Sequence, residues 1–319
     1  MSLALATTLL AAIAVPHLLR FERASPGLAA LVWMSALLLR ALTAVLTAVA
    51  IILVLPGTQL FSLVTHWCWN TALPLVATHL GLDGHRVGDA ALVLPGVVLA
   101  VSALSVAFGV WKAGRAVAAL IQRASVGRGP RDSVIVGDGD VVVAAAGIRR
   151  PQVLVSAGAL TSLDDDELAA SLDHEHGHIE RRHRYILLVA ELCRALARFL
   201  PGTRRAAQEL RFHLERDADR FALERDHEPL VLASAICKAA QGRTTASVAA
   251  LGGGGVSRRI RALLDGGAMS QPTNGLALRS AAALILGLVV MLTATLPAVT
   301  VAAVRSTGEA PAVRHCKNS

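Results

Sequence analysis

His174 and His178 stand four residues apart in the run Leu172-Asp-His-Glu-His-Gly-His178. On a helix that spacing puts both imidazoles on one face, about a turn apart, able to hold one metal ion. Glu175 follows the first histidine, placed to take a proton from a water held by such an ion. The order His-Glu-x-x-His is the pattern of a zinc hydrolase. A catalytic zinc takes three protein ligands and leaves a fourth position open. Glu215, in Leu214-Glu-Arg-Asp-Ala-Asp219, is the candidate third ligand, for one Zn2+ per chain. Asp219 lies a helical turn further on, placed to accept the free ring N–H of a ligand histidine. The alternative is that both are surface acids answering nearby arginines. His213 and the single tyrosine, Tyr185, are candidates for stabilising an oxyanion. His176 falls between the ligands and points off their face.

Other chemistries find less support. The cysteines Cys68, Cys193, Cys237 and Cys316 form no Cys-x-x-Cys pair, which argues against a cysteine zinc site or a redox motif. No Ser-His-Asp order stands out. Gly252–Gly255 lacks the strand-before-helix setting of a phosphate loop and reads as a flexible joint before a basic turn at Arg258–Arg261.

The elements that must position these residues lie between about 113 and 277. Ser133–Val136, Val141–Ala146 and Val153–Ser156 read as short strands broken by glycine turns. Ser162 is a candidate N-cap, with Asp164, Asp165 and Asp166 suiting the first turn of a helix that carries Glu167 to about His183. Further helices are expected over about 185–199, 204–223 and from Pro229 onward.

The rest of the chain points to a bilayer. Hydrophobic residues make up 54% of the 319, and mean hydropathy is +0.55. Long apolar runs at that level read as membrane spans. Spans are expected at about 2–19, 36–56 and 91–111, with a fourth within 278–305 and a short outer tail over 306–319. The 36–56 placement lets Arg40 snorkel to the cytosolic face, with Trp33 near the interface. Residues 57–90 read as an outer loop, and Cys68 and Cys316 would be free to pair if both lie outside. Lys112, Arg115, Arg123, Arg128 and Arg131 follow the third span, which puts the next domain in the cytosol. Net charge is +8, but the basic residues lie largely beside apolar runs, so a direct nucleic-acid partner is not expected. The fold class is therefore predominantly α, a multi-span helical membrane protein with a cytosolic domain.

Several segments together resemble the membrane metallopeptidases of the BlaR/MecR type. They are Pro151–Ser156, Leu163–Glu167, His174–His178, Arg181-Arg-His183, Phe199-Leu-Pro201, Glu215–Asp219 and Ser257-Arg-Arg-Ile260. The resemblance implies an α+β gluzincin domain, zinc on His174, His178 and Glu215, Glu175 as general base, and Asp219 as support behind the ligands. It also implies a structural role for His183. The partners it implies are the bilayer and a protein substrate, such as a winged-helix repressor. The β-lactam receptors of that type carry a large outer penicillin-binding domain. Only residues 306–319 follow the last expected span here, so direct antibiotic acylation is not expected. Sensing then falls to the 57–90 loop, a partner or the membrane. Two other readings stand beside this one: an HtpX-like quality-control protease, and a membrane receptor that works by binding alone.

Overall fold

The computed structural model describes residues 25–54, 84–147, 150–241 and 253–265, together with Ser280, Ala283 and Gly287. The expected first span, most of the 57–90 loop, most of the last span, the tail, Cys68 and Cys316 lie outside the described residues.

Two long apolar helices lead the described chain. Helix α1 runs Pro26–Val54 and α2 runs Gly84–Ala124. Each contains a stretch long and apolar enough to cross a membrane, Pro26–Ile52 and Val93–Ala119. They differ in what surrounds them. The first half of α1 is a core element: Ala29, Val32, Trp33, Leu37 and Leu39 are buried against Ala190 and Cys193 of one helix and Ala206, Leu210 and Leu214 of another. The expected 36–56 span overlaps the candidate stretch Pro26–Ile52, but its surroundings differ from expectation. The helix begins ten residues earlier than expected, Trp33 is inside the protein, and Arg40 is buried with its guanidinium on the Ala36 carbonyl, 3.1 Å away. Composition alone could not separate an apolar face that meets protein from one that meets lipid. In contrast, α2 is exposed along most of its length. Its 41 residues extend about 60 Å at the helical rise, with Lys112 and Arg115 on the same continuous helix after the uncharged run 93–111. Residues 84–90, expected in a loop, form its first turns.

A four-stranded sheet follows, in the order β1-β2-β4-β3. Its strands are β1 Ser125–Arg128, β2 Val134–Val136, β3 Val143–Ala146 and β4 Gln152–Ser156. β1 was not expected; its Ser-Val-Gly-Arg sequence is exposed throughout and lacks an apolar alternation. It pairs antiparallel with β2, and β2 lies parallel to β4. β3 pairs antiparallel with β4, Ala145 opposite Val153, and forms an edge. Gly147, at φ +93°, turns the chain out of β3.

Six helices complete the described chain: α3 Ala157–Ser162, α4 Asp165–Glu180, α5 His183–Leu196, α6 Thr203–Leu223, α7 Pro229–Gln241 and α8 Gly253–Leu264. Ser162 ends α3, and Asp164 is the true N-cap of α4. The Asp164 carboxylate accepts from Glu167 N at 2.8 Å, and Glu167 accepts from Asp164 N at 3.0 Å, a reciprocal capping box. Both Ser162 and Asp164 are capping residue types; Glu167, three places after Asp164, decides between them, because the residue three places after Ser162 is Asp165 rather than the Glu or Gln of a capping box. Helix α4 ends at Glu180 because Arg182 takes a left-handed conformation (φ 57°) that starts α5 at His183. The glycines Gly253–Gly255 lie inside α8 rather than in a joint. Tertiary packing of Ile260 and Leu263 on α6 and α7 outweighs their poor helix propensity.

Glu167 also ties α4 to α7, accepting from Ser234 Oγ and Lys238 Nζ at 2.6 Å each. Burial alone would raise its carboxyl, but the Lys238 and Ser234 bonds outweigh that and hold it below the usual range. A depressed carboxylate stabilises the fold above its unfolded pKa, and the contribution disappears as pH falls through the folded value. Glu167→Gln is expected to cost about 1–3 kcal/mol near neutral pH. In thermal melts of the purified protein, the difference from wild type should shrink as pH falls below about 4.

Candidate active site

Helices α4 and α6 cross where Gly177 faces Phe221. A Cβ added at Gly177 would meet the Phe221 side chain at 3.0 Å, so the absence of a side chain there sets how closely the helices approach. His174 and His178 project from α4 toward this crossing, and Glu215 projects from α6. The His174 and His178 Nε2 atoms are 3.2 Å apart. Glu215 Oε2 lies 3.5 Å from His174 Nε2, and Glu215 Oε1 lies 3.5 Å from His178 Nε2. Tetrahedral zinc, at about 2.0–2.2 Å from each donor, separates its ligand atoms by about 3.3–3.6 Å. The three side chains could hold a metal ion, and their spacing fits one of that size.

Behind each histidine stands a partner that fixes its tautomer. His174 Nδ1 lies 2.9 Å from Asp219 Oδ1. His178 Nδ1 lies 3.0 Å from His183 Nδ1, and His183 Nε2 lies 3.2 Å from Asp217 Oδ2. With His178 Nε2 facing the cluster, its Nδ1–H donates to His183, whose Nε2–H donates to Asp217. Arg181 completes that chain, 2.8 Å from Asp217 Oδ1. The left-handed Arg182 makes it possible, folding His183 back over the helix that carries His178.

Arg259, on α8, neutralises the two carboxylates. Its Nε and one terminal nitrogen donate to Asp219 at 3.0 and 2.6 Å, and the other lies 2.7 Å from Glu215 Oε2. Burial would raise both carboxyls, but Arg259 chiefly holds Glu215 and Asp219 below the usual range. The histidines diverge. Burial opposes protonation of His174, yet Asp219 and Glu215 raise it to about 10. Burial pushes His178 down to about 4. The cluster thus has negative charge to spare, with His174 and Asp219 buried and His178 and Glu215 half-buried, and is suited to a cation.

Glu175 points elsewhere. Its Oε2 accepts from the Ala145 N–H of edge strand β3 at 2.7 Å, and burial raises its carboxyl above the usual range. An acid next to the first histidine of the cluster therefore sits against a strand edge.

The remaining candidates fall apart from this arrangement. His213 is buried on α6 two residues before Glu215, about 200° around the helix from it, with its ring edge-on to Phe212. Burial pushes it down to about 3. Tyr185 is exposed, with the Arg184 guanidinium over its ring at 4.7 Å. His176 bonds the Leu172 carbonyl at 2.7 Å and lines a cavity of about 480 Å³ with Asp173, Arg131 and His227. Sequence reasoning assigned no role to Asp217, Arg181 or Arg259. Arg259 lay within the Ser257–Ile260 segment noted for its resemblance, and Asp217 between the two acids singled out on α6.

The profile of Peptidase family M48 matches residues 113–209. That stretch covers the sheet, α4 with its two histidines and Glu175, α5, and the first part of α6; it ends before Glu215. The match indicates a metallopeptidase. No curated protein and no solved structure matches the chain.

Removing the partner behind a ligand typically weakens a metal site 10- to 100-fold, so His183→Phe should lower metal affinity by about that range. Arg259→Met should also weaken it, by leaving Glu215 unanchored. Gly177→Val should weaken it through a third route, by pushing α6 off α4. Competition against a chromophoric chelator, on full-length protein, measures all three.

Proposed function

We propose that this chain is an integral-membrane zinc endopeptidase. The observation that carries the reading is the position of Glu175: beside the His174–His178–Glu215 cluster and in contact with the edge of β3. A zinc ion on that cluster would supply a Lewis acid that polarises a peptide carbonyl and acidifies a water. Glu175 takes the proton from the attacking water and returns it to the leaving amine. The buried setting favours this role, since a raised carboxyl pKa brings the group nearer to the working pH. Asp219 and His183 orient the ligand rings, and Arg259 steadies Glu215. β3 offers an extended substrate an unpaired edge for strand addition. In the β3–β4 pairing, Val143 and Ala145 alternate outward from β4, and the Ala145 amide is the one held by Glu175.

The membrane setting is multi-pass with the catalytic domain on the cytosolic side. It is supported by α2, whose largely exposed, uncharged run 93–111 is followed by Lys112 and Arg115. The biological role proposed is a regulated protease that cleaves a cytosolic repressor or itself. Direct packing of α1 on α6, the helix that carries Glu215, supports it by giving a membrane helix physical contact with the site.

Glu175→Gln is expected to retain metal and lose cleavage. A proteomic comparison of cells carrying wild type and this variant should show a small set of fragments only in wild type, a repressor among them. Broad loss of misfolded membrane proteins in wild type would replace the signalling role with quality control. Undiminished cleavage by the variant would exclude the mechanism.

A further inference from the structure

The outward face of α5 is apolar. Tyr185, Leu188, Val189 and Leu192, at i, i+3, i+4 and i+7, are each 36–42% exposed, and Phe199 in the following turn is 77% exposed. A helix on a water-facing domain puts polar residues on that side. The inward face is already satisfied: Ala190 and Cys193 are buried against α1 and α6. The stripe is therefore a second apolar surface with a requirement of its own.

What meets it follows from the neighbours. α5 packs along α2, and α2 exposes Leu94, Val97, Val101, Leu104, Phe108 and Trp111 at 49–67%. A helix this apolar and this exposed calls for lipid around it. The stripe on α5 lies on the helix in contact with it. Charge flanks the surface: Arg182 and Arg198 are exposed at the two ends of α5, with Arg204 and Arg205 just beyond, whereas Arg194 lies about 180° from Tyr185 and pairs with Glu191. Apolar and aromatic residues along one face, with arginines at its ends, describe a helix that lies in a bilayer interface and favours anionic headgroups.

We infer that α5 is seated in the cytosolic interface of the bilayer, with Tyr185, Leu188, Val189, Leu192 and Phe199 in contact with lipid. The consequence reaches the metal cluster. The first residue of α5 is His183, whose ring nitrogen is 3.0 Å from His178. The cluster therefore sits within about one helical turn of the lipid boundary, and the chain segments best placed to reach it are those just outside a membrane span. This last step rests on the peptidase reading; the seating of α5 does not.

The native full-length chain provides the test. It is reconstituted in vesicles of phosphatidylcholine and phosphatidylglycerol that contain a lipid with a photoactivatable diazirine on its acyl chain. After illumination and trypsin digestion, Val87–Lys112 reports α2 and Tyr185–Arg194 reports α5. Both peptides are expected to carry lipid adducts in comparable yield. Adducts on Val87–Lys112 with none on Tyr185–Arg194 would overturn the seating of α5. That pattern would mean that a masking segment or a second copy covers the stripe. Absence of adducts on both would overturn it together with the membrane reading. None of these outcomes depends on peptidase activity, so the two can fail separately.

Discussion

The close crossing of α4 and α6 at Gly177 and Phe221 is the constraint on which the site depends. It brings two histidines and two carboxylates together, with His174 and Asp219 buried and Glu215 half-buried. Buried carboxylates of like charge are tolerated only when cations and hydrogen bonds answer them. Arg259 answers Asp219 with two hydrogen bonds and Glu215 with a third contact. Without a metal, the proton drawn onto His174 serves the same need. The arrangement thus specifies a position for positive charge before any ion arrives, and the spacing of the three donors specifies its size.

The same crossing links the site to the surroundings. α6 has Glu215 on one side and Leu210 and Leu214 against α1 on another. α5 starts at the residue that buttresses His178 and lies along α2. Both long apolar helices therefore touch elements that hold ligand side chains or their partners. A shift in either would be felt at the donors, since close-packed interiors transmit displacement rather than absorb it.

Local chemistry was legible in the sequence; long-range contact was not. His174, Glu175 and His178 follow from helical spacing alone, and Glu215 and Asp219 from spacing on a second helix with an apolar stripe. Arg259 lies about forty residues beyond Asp219, and no periodicity connects them; only folding of α8 onto α6 does. The His183–Asp217 pair was hidden because it depends on one left-handed residue, Arg182, of a type that rarely adopts that conformation. The protein-facing side of α1 was hidden for a different reason. Ala, Val and Leu bury equally well against protein and against lipid, so hydropathy marks the helix without saying which it meets.

The central claim is that His174, His178 and Glu215 hold one zinc ion. X-ray absorption at the zinc edge, on full-length protein purified without added chelator, tests it most directly. The account predicts one zinc per chain in a first shell of nitrogen and oxygen only, two of the donors being imidazoles, with the signal lost in Glu215→Ala and His178→Ala. A sulfur-containing shell, or zinc that persists unchanged in both variants, would contradict it.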